Sequence, residues 1–400
     1  MPSVPEKEIQ RRHLAMKTRL GDLDPSDPPI DLLIVVQKAD LYYLSGTIQQ
    51  CHLLFSKEGS ARLLVRKVLE RAQEDSAVTD IRPMRSLRDL KSHVREVCGN
   101  PPWRIGMELD VLPVNLWKAY EKLFGEDAEI VDGSGVILAT RAQKSDWELE
   151  QFRQAAAIHR QLFEEVPLLL AEGVSTYQLQ TLVERRACEL GHCGMIRMRG
   201  LDVETSIGVV VSGEEGALPS HSMFPIGGKG THPWVSGGGS FQRIQPNTPV
   251  ILDYLMSTSG YHADCTRMAV KGEFPDEARE IFKKIQGVMR LCEESLKVGA
   301  VPSKIYQAAV DRAADEGLSD GFMGPKGYQV GFVGHGVGLE VNEVPVIAPR
   351  FDKPLVVGNT LAIEPKYTHP EWGVIGLENS YAVREDGPEN LTPVPEDIIS

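Results

Sequence analysis

Two stretches of the 400-residue chain, 126 positions apart, follow one plan. The first opens on a capping box, Ser145 with Glu148, which satisfies free N–H groups at a helix start. An amphipathic pattern then runs from Trp147 to Leu170, with Phe152, Ile158, Leu162, Phe163 and Val166 among its apolar positions, and Gly173 ends it. Ser175 and Gln178 form a second capping box, for a helix that stops at Gly191. The second stretch has a helical pattern from Asp276 to Val298, then Gly299, then a helix opened by Ser303 and stopped at Gly317. Leu179, Arg186 and Ala187 match Ile305, Arg312 and Ala313 at the same offset. Two amphipathic helices agree this far by chance, and a duplicated helix–helix–sheet unit gives the same agreement. Strand-like segments follow each pair: Thr205 to Ser212 and Pro249 to Lys271, then Gln329 to Val333 and Thr360 to Arg384.

The preceding part, residues 1–140, reads as a separate α/β domain, with residues 141–400 as a second. Asp31 to Gln37 holds an apolar run suited to a buried strand. Leu53 to Val65 around Gly59 suits a hairpin, and Leu87 to Cys98 has helical spacing. Formal net charge is −13, which disfavours nucleic acid and anionic membranes as partners. No apolar run approaches a membrane span, and Met1 to His13 is polar, so the cytoplasm is the default location. Six scattered cysteines form no Cys-x-x-Cys pair and read as buried free thiols.

Chemistry concentrates after residue 248. Val250-Ile251-Leu252 leads into Asp253, turn residues occupy Ser257 to Gly260, and Tyr261 to Val270 returns as a strand. A turn centred between Thr258 and Ser259 would set Asp253 directly opposite Asp264, with Cβ atoms ~5 Å apart. Like charges so placed call for a cation, unless both aspartates lie on a solvated sheet face. His335 stands in Gly334-His335-Gly336-Val337-Gly338, Glu364 ends the apolar run Leu361-Ala362-Ile363, and Glu378 lies in the strand-like run Gly373 to Val383. Four carboxylates and one imidazole make a donor set for two divalent cations, with Mn the best fit and Co, Fe or Zn also suited.

The order Asp253, Asp264, His335, Glu364, Glu378, with Tyr261 to Arg267, Gly334 to Gly338, Ile363-Glu364-Pro365 and Leu377-Glu378, resembles the pita-bread metallohydrolases. That family includes methionine aminopeptidase, Xaa-Pro aminopeptidase, prolidase and creatinase. The likeness covers about the last 255 residues, and Arg141 to Leu162 resembles the opening helix of the aminopeptidase P branch. The first third is similar to the creatinase-type N-terminal domain through Asp40 to Gly46. The resemblance implies an α+β protein: a creatinase-type α/β domain, then a pita-bread domain of pseudo-twofold duplicated helix–helix–sheet units. It also implies a homodimer. Asp253 would chelate one metal, His335 and Glu364 the other, and Asp264 and Glu378 would bridge both. Glu364 would carry a proton to the leaving nitrogen.

The resemblance further implies a substrate-facing histidine, placed by context at His221 in Ala217 to His221. From His221 to Asp253 is 32 positions, about fifteen more than the family pattern, and the excess, Ile226 to Gln242, is Gly-rich and contains His232. This segment is expected to overlie the site and shape substrate choice, with His232 among the substrate-binding residues. Asn342 stands where the family has a second histidine, and is expected to bind substrate as a hydrogen-bond donor. Gly376 stands where an arginine is usual, and Leu255 where a glycine is frequent. The expected activity is hydrolysis of an amide bond near the N-terminus of a small peptide, of Xaa-Pro aminopeptidase or dipeptidase type. A creatinase-like or ectoine-hydrolase-like amidohydrolase is the alternative, and a non-catalytic binding module the second.

Overall fold

The computed structural model describes residues 4–23, 28–201 and 204–400. The chain divides into two compact units, Met1–Arg141 and Ala142–Ser400. The first carries a mixed six-stranded sheet in the order Asp80–Pro83, Ala61–Val65, Cys51–Ser56, Leu32–Val35, Trp103–Met107, Ala128–Asp132. Leu32, Ile34, Leu54, Leu64 and Ile105 pack with Leu90 and Val94 of the helix Asp89–Cys98 and with Tyr120 and Phe124 of Val114–Phe124. The polar start of the chain turns helical over Glu6–Gly21, while Met1, Pro2 and Ser3 lie outside the described residues. No helix among the described residues is long and apolar enough to cross a membrane.

In the second unit both capping boxes form. Ser145 opens α1, Asp146–Leu169, and Ser175 opens α2, Thr176–Glu189, each with reciprocal bonds to the residue three further on. An antiparallel sheet follows: β1 (Gly208–Ser212), β2 (Val250–Met256) and β3 (Ala263–Ala269). The second half repeats the order with α3 (Asp276–Ser295) and α4 (Pro302–Asp315). Its strands are β4 (Gly334–Gly336), β5 (Glu343–Ile347), β6 (Thr360–Ile363), β7 (Lys366–His369), β8 (Gly373–Gly376), β9 (Asn379–Arg384) and β10 (Gly387–Asn390). One sheet runs β5-β4-β6-β9-β10, and β7 and β8 form a two-stranded sheet. Helix pair and antiparallel sheet therefore occur twice.

Three details differ from the expectations. Helix α4 starts at Pro302, whose fixed φ suits a first helical position, so Ser303 lies inside it and its hydroxyl bonds Asp352 instead of capping. Gln329 to Val333 is not a strand but irregular backbone: Val330 donates to the Met323 carbonyl and the Gln329 side chain to the Ser319 carbonyl. Cys188 and Cys193 are exposed, whereas Cys51, Cys265 and Cys292 are buried; all six thiols are free.

Helix α1 is tied to the sheet by His159, fully buried, with Nε2 2.8 Å from the Tyr254 carbonyl and its ring stacked on Phe163. Burial pushes its pKa down to about 3, outweighing the Tyr254 bond, so the folded protein holds it neutral. Unfolded, the same imidazole takes a proton near pH 6.5. The stability this group contributes is thus complete above pH 6.5 and is lost as pH falls toward 3. His159→Gln should flatten the acid limb of the stability profile by up to about 1.4 kcal/mol per pH unit, measured from urea midpoints between pH 4 and 7.

Candidate metal centre

The β2–β3 hairpin places the first two carboxylates. Its register pairs Asp253 with Thr266 and Leu255 with Asp264, so the aspartates are diagonal neighbours and not directly opposed. The turn centre lies one residue further on, with Gly260 in it at φ +95°, a backbone conformation glycine adopts without steric cost. The ladder thereby slips by two, and a slip of two keeps every side chain on its face. Asp253 and Asp264 still project together.

His335 comes from β4, whose glycines let neighbouring backbone in. A Cβ at Gly334 would lie 2.5 Å from the Ala362 carbonyl of β6, and one at Gly336 2.6 Å from the Glu343 carbonyl of β5. The His335 Nδ1 lies 3.1 Å from the Gly336 carbonyl, a bond that requires a proton on Nδ1 and turns Nε2 toward the carboxylates. Glu364 follows β6 directly, its N–H donating to the Val333 carbonyl. Glu378 is not inside one continuous strand: the expected run Gly373 to Val383 breaks at Leu377 and Glu378, between β8 and β9. There its backbone pairs both ways with Thr266, and the Thr266 hydroxyl donates to Glu378 Oε2 at 2.8 Å.

Arg267 fixes that junction. It is completely buried, and its guanidinium donates to the carbonyls of Thr266, Glu378, Val394 and Pro395 and to Asn379 Oδ1, all within 2.8 Å. All five N–H donors are used on groups that carry no net charge.

Two triads of donor atoms result, Asp264–His335–Glu378 and Asp253–Glu364–Glu378, each with its atoms within 4.8 Å of one another. Glu378 belongs to both. Asp264 Oδ1 and Glu378 Oε1 are buried and make no hydrogen bond among the described residues. Acceptors buried in that state are costly unless a cation or donor completes them, so the first triad suits a divalent ion.

Lys366 was not anticipated. Its side chain is wholly buried, and Nζ lies 2.6 Å from Glu364 Oε2, 2.8 Å from Glu378 Oε2 and 3.4 Å from Asp253 Oδ2. The signal was present in the sequence, since strand alternation sets residues 364 and 366 on one face. Across the hairpin Lys366 pairs with Gly376, where a Cβ would come within 2.6 Å of Lys366 Cγ. Glycine at 376 is what leaves a lane for the lysine stem.

Charge sets the protonation. Burial raises Asp264 well above the usual carboxylate range, and Glu378, Asp253 and Glu364 add to it. Burial and the neighbouring carboxylates push Glu378 up to about 7 against the pull of Lys366, and burial raises Asp253. At Glu364 burial is outweighed by Lys366 and His335, which bring it down to about 2. Burial alone would lower His335; Glu364 and Glu378 raise it to about 9. The three carboxylates around Lys366 outweigh its burial and keep it charged. A metal ligating His335 must displace its proton.

The triads open into a cavity of about 700 Å³ whose walls include His221, Phe224, Trp234 and Gly237. His221 is in the cavity wall. His232 is exposed and not part of that wall, because its Nδ1 accepts the Trp234 N–H and holds a turn. Asn342 is also turned away: Oδ1 accepts the Arg199 N–H and Nδ2 donates to the Arg199 carbonyl, both at 2.8 Å. Neither residue lines the cavity, although both were expected at the substrate. The segment 226–242 forms no helix or regular strand but closes on itself, Gly230 and Gly238 donating to Gly238 and Gly227 carbonyls, and Thr231 and Val235 also line the cavity.

Comparison with known proteins agrees with this architecture. Residues 150–385 match metallopeptidase family M24, and residues 26–143 match the creatinase/prolidase N-terminal domain. The chain is 25% identical to the uncharacterized peptidase YqhT of Bacillus subtilis over 74% of each chain. It is 22% identical to a Xaa-Pro dipeptidase of Pyrococcus furiosus over 96% of this chain and all of that one. The solved Xaa-Pro dipeptidase from Bacillus anthracis superposes with a TM-score of 0.81, at 23% identity, covering 98% of this chain and 99% of that one. Divalent metal ions go with this family, and its architecture, a creatinase-type N-terminal domain before a pita-bread domain, is the one seen here. With more than half its length matched and its donor groups gathered in one cavity, the chain belongs to metallopeptidase family M24.

Proposed function

We propose that this protein is a metal-dependent hydrolase that cleaves an amide bond next to the N-terminus of a small peptide, with Xaa-Pro dipeptides and short prolyl peptides as the first substrates to try. The observation that carries the reading is the pair of buried, unpartnered oxygens, Asp264 Oδ1 and Glu378 Oε1, beside His335 in a cavity large enough for a short peptide. The names of the relatives supply the substrate class. Asp264, His335 and Glu378 would hold a divalent cation, and oxygen-rich ligation with one imidazole suits Mn, with Co, Fe or Zn as fits for the same donors. Two cations would need the Asp253–Glu364–Glu378 triad as well. Homodimer formation rests on the resemblance to the aminopeptidase P branch.

A bound divalent cation supplies polarisation of the amide carbonyl and a water of lowered pKa. The chain's own groups do the rest. Glu364 is assigned the proton that must reach the leaving nitrogen. Its Oε2 is held by Lys366, while Oε1 has the longer contact, 3.4 Å, to His335 Nε2. His221, in the wall, is assigned the hydrogen bond to the oxygen on which charge develops. Trp234 and Val235 offer apolar surface for a substrate side chain.

One observation favours a second reading, a small-molecule amidohydrolase of the same fold. Asn342, where the resemblance implies a substrate contact, pairs its amide with the Arg199 backbone and is not among the residues lining the cavity. A panel of Xaa-Pro dipeptides, longer prolyl peptides and cyclic or guanidino amides separates the two.

Protein purified without chelator should contain bound transition metal, and Asp264→Ala should lose it together with all turnover. Metal-free, inactive wild-type protein would refute the hydrolase reading. His221→Ala should keep its metal and lose about 10²–10³ in kcat, measured on the best substrate of the panel. Deleting residues 228–238 should change relative kcat/KM across the panel, and an unchanged ranking would take that segment out of substrate selection.

A further inference from the structure

The two donor triads are not equivalent. Asp264–His335–Glu378 has two buried oxygens with no partner among the described residues, and His335 Nε2 faces Asp264 Oδ2 at 3.9 Å. Asp253, Glu364 and Glu378 are already gathered around one positive group, the Lys366 ammonium. We infer that this ammonium takes the place of a second cation, so that the chain holds a single divalent ion, on Asp264, His335 and Glu378. The inference rests on the metal-dependent reading above and deepens it.

Geometry makes the lysine a fixed occupant. Lys366 is the first residue of β7, paired with Gly376 of β8, and its stem passes over that glycine with no side chain to compete for the space. None of the lysine side chain reaches solvent. To leave, the ammonium would have to give up three carboxylates and cross a packed hairpin, and a buried charge without partners is strongly disfavoured. Were it to stay, a dication among the same three carboxylates would lie within a few ångströms of a like charge, where little water screens the repulsion.

The charge balance points the same way. Asp253, Asp264, Glu364 and Glu378 bring four negative charges when ionised. One ammonium and one dication leave a single net negative charge, and a second dication would make the cluster positive with Lys366 in place. The lone-pair inventory agrees: Glu378 Oε2 already accepts from both Lys366 and the Thr266 hydroxyl, and Glu364 Oε2 from Lys366. A second metal would have to displace those bonds.

The test is stoichiometry, read without any assay of activity. Wild-type protein titrated with Mn²⁺, desalted and analysed for metal should retain one ion per chain, with the spectrum of an isolated Mn²⁺ in electron paramagnetic resonance. Lys366→Met keeps the stem and removes the charge, and should retain two ions with a spin-coupled spectrum. Two ions in the wild type, or one in a folded Lys366→Met, overturns the inference and leaves the hydrolase reading standing. No metal in either protein overturns both. If Lys366→Met does not fold, the wild-type count and spectrum decide alone.

Discussion

Four carboxylates within reach of one another, three buried and one partly exposed, cannot all be ionised unless positive charge is brought to them. Asp253, Asp264, Glu364 and Glu378 are in that situation, and much of the second unit is arranged around it. Lys366 answers part of the demand and His335, facing Asp264 and Glu364, a further part. The remainder is visible as oxygens without partners. In a family of metallopeptidases, a shortage of positive charge at one point of a cavity is also the chemical capacity of the site.

Holding such a cluster together against its own repulsion falls to groups outside it. Arg267 would be an obvious counter-ion, yet its five N–H donors all go to carbonyl and amide oxygens. It ties the carbonyls of Thr266 and Glu378 to the chain's last segment at Val394 and Pro395. The charge is dispersed over backbone dipoles, and strand β3 at Thr266 is fastened to the β8–β9 junction at Glu378. The close approach of β4 to β5 and β6, allowed by Gly334 and Gly336, does the same for His335.

Gly376 and Lys366 are best understood as one feature. Sequence resemblance marks Gly376 as the loss of an arginine, a fixed charge beside Glu378. In the fold its strand partner is Lys366, whose ammonium lies 2.8 Å from that same glutamate. Positive charge is supplied from the facing strand, and the glycine is the condition for it. The consequence is not a neutral exchange, because the lysine reaches three carboxylates that a metal could otherwise use.

Local rules were enough for much of this protein. Capping boxes at Ser145 and Ser175 fixed two helix starts, because the bonds that make them span three residues. The strands bearing Asp253 and Asp264 were visible as an apolar run and a β-forming run around turn residues, and a two-residue slip of register left both on the expected face because strands have period two. Legibility ended where contacts join distant segments. Asn342 and His232 looked like substrate groups, but their hydrogen bonds are decided by Arg199, 143 residues away, and by a local turn. Which donor set is free, and which is met by an ammonium, depends on the pairing of Lys366 with Gly376 and on the inward path of one side chain. Sequence alone determined which groups could bind a cation, since donor chemistry belongs to the residue. Only the tertiary structure decided which of them has one to bind, since charge compensation depends on distance in space.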